Sequence, residues 1–290
     1  PPVGQWPDKG LFAAWLGHAT VLLKINGFTI LTDPVFSQRA GLWLGLLTLG
    51  IKRLVKPAVP LSRLPKIDLV LLSHAHMDHF DIPSLRKLER PHTRVVTARE
   101  TSDLLRVNRY ASVTELGWGG HTRVGPVTLR AFEVRHWGAR MRTDTYRGYN
   151  GYTLEADGYR VLFGGDTADT DLFRKVRGPK PFQLGIMPIG AYNPWIRYHC
   201  TPEQAWRMGN EAGAEVFLGG ERQLRHILRR RDTRRINSVL RELRGIPWRL
   251  RRLHRAAPER LALPLVYLIA GHSHETPADP LVQVAHNPSS

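Results

Sequence analysis

SHAHMDHF, residues 73–80, sets three histidines and an aspartate within six positions, directly after the apolar run IDLVLLS (67–73). A continuous run of that kind reads as a strand buried on both faces. The four polar side chains therefore crowd onto the loop that leaves the strand's carboxyl end. In near-extended backbone alternate residues point the same way, so His74 and His76 can grip one ion. Asp78 and His79, beyond the bend, can reach a second. Imidazole mixed with carboxylate suits zinc, and manganese or iron also accept such a set. Asp81 reads as the cap of a helix opening at Ile82-Pro83, which anchors the far end of the loop. A histidine-rich surface loop is the plain alternative, but two later residues give the loop partners: His136 in RHWGAR and Asp166 in FGGDTAD, each at the end of a predicted strand.

Working outward, the chain of 290 residues with 42% hydrophobic content can fill a sizeable core. Its one cysteine, Cys200, excludes an internal disulfide framework and any multi-cysteine zinc site, and points to a reducing, cytoplasmic setting. No run approaches the roughly 18–20 apolar residues of a spanning helix. Two shorter runs, GLWLGLLTLGI (41–51) and LALPLVYLIAG (261–271), could rest on a membrane surface. The chain opens on Pro1-Pro2 without an initiator methionine, as a processed or truncated N-terminus would, and carries no signal-peptide pattern.

Net charge is +17, unevenly spread. Residues 1–218 hold 28 basic and 19 acidic side chains (+9), residues 219–290 hold 14 and 6 (+8), and those 14 are all arginine while every lysine precedes residue 181. The excess charge alone favours an anionic partner, nucleic acid or lipid.

Residues 1–218 read as an α/β layered domain. FAAWLGHATVLLKINGFTILTDP (12–34) gives two apolar runs around Asn26-Gly27, a strong hairpin signal. VTLRAFEV (127–134), GYTLEADGYRVLFGGD (151–166, with a turn at Asp157-Gly158), FQLGIMPIG (182–190) and AEVFL (214–218) read as further strands. Thr201-Pro202-Glu203-Gln204 carries a capping box at the head of a helix over 201–211.

Together HAHMDH, His136 and Asp166 form the pattern of the metallo-β-lactamase fold, a four-layer αββα sandwich. The stretches WLGHATVLLKINGFTILTDPVFSQRA, LLSHAHMDHFD, RHWGAR, FGGDTA and MPIGAYNPWIRYHCTPEQAW resemble, collinearly over 11–218, the branch containing N-acylphosphatidylethanolamine-hydrolysing phospholipase D and its bacterial relatives. The resemblance implies two zinc ions: His74, His76 and His136 hold one, Asp78 and His79 the other, and Asp166 bridges both. It implies hydrolysis of a phosphodiester, phospholipid-like or small, by a hydroxide held at the metals, with Asp78 orienting it or taking its proton. His199 matches a histidine placed near the substrate, where it binds phosphate or assists the leaving group. Its plain reading is a polar residue ahead of a helix cap. Asp33 and His18 fall where the family has active-site or supporting groups, and a turn aspartate before proline and a buried hydrogen-bonded histidine account for them equally. Trp137, Tyr192, Trp195 and Tyr198 could line an apolar cleft, although plain packing is commoner for such aromatics.

One departure stands out. After AEVFL the family supplies a seventh ligand, a histidine followed by Thr-Phe; here the text reads GGERQLRHIL, with Glu221 nearest and His226 late. The Asp78–His79 half should therefore hold its cation more weakly. The family signature ends at Leu218, so 219–290 is read as a separate segment of shifted reading frame or a basic arm, with Ile236, Val239, Leu240 and Leu243 at helical spacing. GHSH at 271–274 could also reach back to the site. Beside the hydrolase stand two other classes: a metal-binding scaffold that lost turnover with the ligand, and a nucleic-acid enzyme favoured by charge alone, for which no recognition segment is found.

Overall fold

The computed structural model describes residues 2–53, 55–189 and 195–221, with two short strands at 266–267 and 281–284. Strands β1 (Leu11–Gly17), β2 (Thr20–Ile25) and β3 (Phe28–Thr32) form an antiparallel meander. Asn26 and Gly27, at φ 44° and 84°, make the β2–β3 turn in the left-handed region that a two-residue hairpin loop needs. The predicted single run over 12–25 is two strands. Gly17 at φ 113° and His18 at φ 56° fold the chain back between them. Both flanks are apolar and buried on each face, so no change of polarity marks the break.

β4 (Arg39–Trp43) and β5 (Thr48–Lys52) then leave the sheet as a separate hairpin. β6 (Leu69–Leu71) returns to pair parallel with β3, and α1 (Ile82–Leu88) leads to β7 (Arg94–Ala98) and β8 (Ser112–Leu116). Asp81 is the residue before α1, but its carboxylate caps no helix N–H: it accepts from Ser37 N–H at 3.2 Å and Ser37 Oγ–H at 2.6 Å, tying the base of the β4–β5 hairpin to the donor loop.

The second sheet runs β9 (His121–Val124), β10 (Val127–Phe132), β11 (Gly151–Ala156) and β12 (Tyr159–Phe163) antiparallel. Asp157-Gly158, at φ 48° and 85°, is the predicted turn between β11 and β12. β13 (Leu184–Ile189) follows in parallel, and α2 (Pro202–Ala212) crosses to β14 (Phe217–Glu221). The capping box is present: Gln204 N–H donates to Thr201 Oγ1, and Thr201 N–H to Gln204 Oε1. β14 starts later than predicted and crosses residue 218. β15 (Val266–Tyr267) extends this sheet beside β14, and β16 (Leu281–Val284) extends the first beside β1.

Residues from the two sheets share one core, with Leu23, Ile30, Leu71 and Val96 from the first meeting Leu129, Tyr152, Val161 and Ile186 from the second. The outer face of the first sheet packs on Leu85 and Leu88 of α1. That of the second packs on Ala205, Met208 and Ala212 of α2. These are the four layers expected of an αββα sandwich. Among the described residues no helix is long and apolar enough to cross a membrane. Tyr192, His226, the helical spacing at 236–243 and GHSH at 271–274 lie outside the described residues.

Candidate metal centre

The site forms where strand ends from both sheets meet at one rim, the usual position for ligands outside carboxyl ends of parallel strands. β6 runs into His74–His79, β3 into Asp33, β10 toward His136 and β12 into Gly164-Gly165-Asp166. Hydrogen bonds lock the two sheets together here. Asn150 N–H donates to Ser73 O at 2.9 Å and the Tyr152 hydroxyl to Leu72 O at 3.0 Å. Gly165 sits at φ 58°, and a Cβ there would lie 2.8 Å from Asn150 O and 2.9 Å from Ser73 Cβ, so only glycine lets Asp166 come this close.

His74, His76, His79, His136, Asp166 and His199 are all buried. One donor atom each from His74, His76 and His136 falls within 4.8 Å of the others, and the same holds for His74–His79–Asp166 and for His136–Asp166–His199. Five of the six sequence-predicted ligands thus fall in these overlapping groups, and Asp78, the sixth, falls with His18 and His79. His136 Nε2 lies 3.2 Å from His76 Nδ1, and His79 Nε2 lies 3.2 Å from Asp166 Oδ2. Ligands of a tetrahedral zinc, with bonds of about 2.0–2.1 Å, stand roughly 3.3 Å apart.

The tautomers also fit a cation. Ser73 Oγ–H donates to Asp33 Oδ2 at 2.6 Å, so the Ser73 oxygen can only accept from His74 Nδ1–H, at 2.8 Å. That leaves the lone pair on His74 Nε2, a buried atom with no hydrogen-bond partner. His79 Nδ1–H donates to Asp33 Oδ2 at 2.7 Å, and His136 Nδ1–H to the Tyr198 carbonyl at 2.8 Å. Each imidazole is held by its outer nitrogen with the inner one presented to the cluster, as in histidine–metal sites with a supporting carboxylate or carbonyl. Burial, with its neighbouring imidazoles, holds His74 well below the usual histidine range, which keeps it neutral. Burial and the His76 and His199 imidazoles do the same for His136, against the pull of Asp166. Burial would also lower His79, but Asp166, Asp33 and Asp78 together override it and raise it well above that range.

His199 Nε2 stands 3.1 Å from Asp166 Oδ2, so its first contact is the shared carboxylate rather than open cleft. Of the aromatics, the Trp137 ring packs 4.5 Å from His76 and 4.3 Å from Tyr198, forming a wall beside the imidazoles. Asp33, which the sequence left equally open to a turn role, is a supporting group: at φ 34° it accepts from Ser73 twice and from His79, serving both halves of the cluster. A second supporting group escaped the sequence reading. Arg140 donates to Ala75 O and Phe80 O, each at 2.9 Å, and braces the donor loop from both ends. Burial pushes its guanidinium down to about 10. Its sole sequence signal is its place in RHWGAR.

A model of the β-lactamase superfamily domain matches residues 29–219. An uncharacterised protein of Mycobacterium tuberculosis is 35% identical over 71% of this chain and 56% of its own length. N-acyl-phosphatidylethanolamine-hydrolyzing phospholipase D 1 of Caenorhabditis elegans is 32% identical over 73% of this chain and 64% of its own. The chain thus spans less than two thirds of either relative. A solved metallo hydrolase from the archaeon Ignicoccus hospitalis shares the fold, with a TM-score of 0.58 at 18% identity over 80% of this chain and 92% of that one. With the four layers and the rim of histidines in place, the chain belongs to the β-lactamase superfamily and adopts the metallo-β-lactamase fold.

Proposed function

We propose that the protein is a metal-dependent hydrolase that cleaves a phosphodiester, with zinc as the cation and a phospholipid-like ester as the preferred substrate. The observation that carries the reading is the buried cluster in which His74, His76 and His136 converge while Asp166 lies within reach of His79, His136 and His199. Cations bound there would polarise a water toward ionisation near neutral pH and offset the charge that builds on the attacked phosphorus. His74, His76 and His136 would hold one cation, Asp78 and His79 the other, with Asp166 between. The Asp78 side chain is 15% exposed, more than the ligands behind it, and its carboxylate accepts the proton of the attacking water. His199 Nε2–H keeps Asp166 in its orientation. Trp137 and Tyr198 exclude water on one side of the imidazoles, which strengthens every charge interaction inside.

The lipid preference is supported by the β4–β5 hairpin. Leu44, Leu46, Leu47 and Leu49 at its tip are exposed, Leu46 completely, and Arg39 and Lys52 flank its base. An apolar tip over basic residues suits an anionic bilayer surface. Because Ser37 ties that base to Asp81, contact with a membrane would hold the metal rim at the headgroups. The Caenorhabditis elegans relative's name points the same way.

The test combines metal content with turnover of bis(p-nitrophenyl) phosphate and then of phospholipid vesicles. Protein purified without chelator should contain a transition metal, lose turnover on chelation and regain it with zinc. Metal-free protein would overturn the reading; metal without turnover would favour the scaffold that lost its activity.

A further inference from the structure

The turn between β1 and β2 brings a third donor beside Asp78 and His79. His18 stands at its apex, 3% exposed, with Nε2 3.4 Å from Asp78 Oδ2 and its ring 5.7 Å from that of His79. One donor atom each from His18, Asp78 and His79 lies within 4.8 Å of the others, the span that also groups His74, His76 and His136. The 3.4 Å edge matches the roughly 3.3 Å between neighbouring ligands of a tetrahedral zinc. The backbone is committed to this placement. His18 adopts φ 56°, a left-handed conformation costing a non-glycine residue of order 1 kcal/mol, and the Trp15 indole N–H donates to its carbonyl at 2.7 Å. Asparagine or glycine would make the same turn with less strain, so the turn itself does not call for an imidazole.

We propose that His18 is a ligand of the second cation, standing with Asp78 and His79 in place of the histidine that the family supplies directly after AEVFL and this sequence lacks there. The inference rests on the two-cation reading above. It makes the β1–β2 turn, rather than the segment after residue 221, the element that completes the site.

His18→Asn is the variant of choice, because asparagine tolerates the left-handed turn and preserves the fold. The full chain is stripped with chelator and titrated with zinc by calorimetry, beside His226→Ala. Wild type and His226→Ala should each take two equivalents. His18→Asn should keep the tighter one and weaken the second by at least about 100-fold, beyond the roughly 10–100-fold expected from losing a supporting partner. Cobalt-substituted protein supplies a readout that a merely supporting role would not move. Its proton spectrum should show one more shifted, exchangeable imidazole N–H than His74, His76, His79 and His136 account for, and His18→Asn should lack it. Unchanged second-site affinity in His18→Asn, loss of that site in His226→Ala instead, or the absence of the extra signal would each overturn the inference. Wild-type protein that binds no metal at all would instead overturn the reading beneath it.

Discussion

The two halves of the donor cluster are built from different materials. One half draws His74 and His76 from the loop after β6 and His136 from the far sheet, and two of its imidazoles are set by outer partners, Ser73 for His74 and the Tyr198 carbonyl for His136. The other half takes Asp78 and His79 from the same loop and finds His18 on a strained turn of the first sheet. In the first half burial holds two imidazoles, His74 and His136, well below the usual histidine range; the second is rich in carboxylate, with Asp33, Asp78 and Asp166 around His79. Outer contacts that preset a ligand make a tight site, whereas His18 depends on a left-handed turn that the fold itself must hold.

The largest expected effect breaks the comparison at its stronger half. His76→Ala should lower phosphodiester turnover at least about 100-fold, since losing even an outer partner costs roughly 10–100-fold. His226→Ala should leave it unchanged, and equal loss from both would place the active site elsewhere. Next comes Asp33→Asn, which weakens acceptance from Ser73 and His79 together. Zinc affinity should fall roughly 10–100-fold at both halves, whereas Ser73→Ala should affect only the half that contains His74. Loss at one half alone in Asp33→Asn would show that the carboxylate is not shared. The comparison itself is read directly by titrating stripped wild-type protein, where two unequal steps are expected, about tenfold or more apart. Two equally tight steps would erase the distinction. Outside the cluster, Leu46→Asp should reduce binding to anionic vesicles by a few fold, because burying apolar side chains supplies much of such contact. It should leave turnover of the soluble ester as it was, and vesicle binding that survived would remove the hairpin from the lipid reading. The last check touches no protein: if residues 219–290 come from a shifted frame, one of the other two forward frames after codon 218 should encode a histidine followed by Thr-Phe. If neither does, the segment is a basic arm in its own right.

Much of this was legible in the sequence because local chemistry and global fold agree there. HAHMDH after a buried strand, Asn26-Gly27 and Asp157-Gly158 at their turns, and Thr201 with Gln204 at the helix start all act within a few residues of themselves. What sequence reasoning left open or missed acts across distance. Asp33, whose supporting role stood level with a turn role, serves residues 40 and 46 positions away. Arg140 reaches carbonyls 60 and 65 positions away. Asp81 sits where a cap belongs yet spends its carboxylate on Ser37. The reversal at His18 was hidden by apolar strands on both sides, and Gly17 was its one signal.

Asp33 also has a consequence for how the cluster fills. Its Oδ2 accepts from His79 directly and from Ser73, which in turn holds His74, so one carboxylate anchors a ligand of each half. A cation that fixes His79 also fixes Asp33, and the ordering of His74 is then partly complete before its own cation is considered. Such linkage is reciprocal: whatever the second cation gains from the first, the first gains equally from the second, typically 5–150-fold. The weaker half thereby becomes a latch on the stronger, and zinc should leave the His74 half more slowly when both are loaded than when that half is loaded alone.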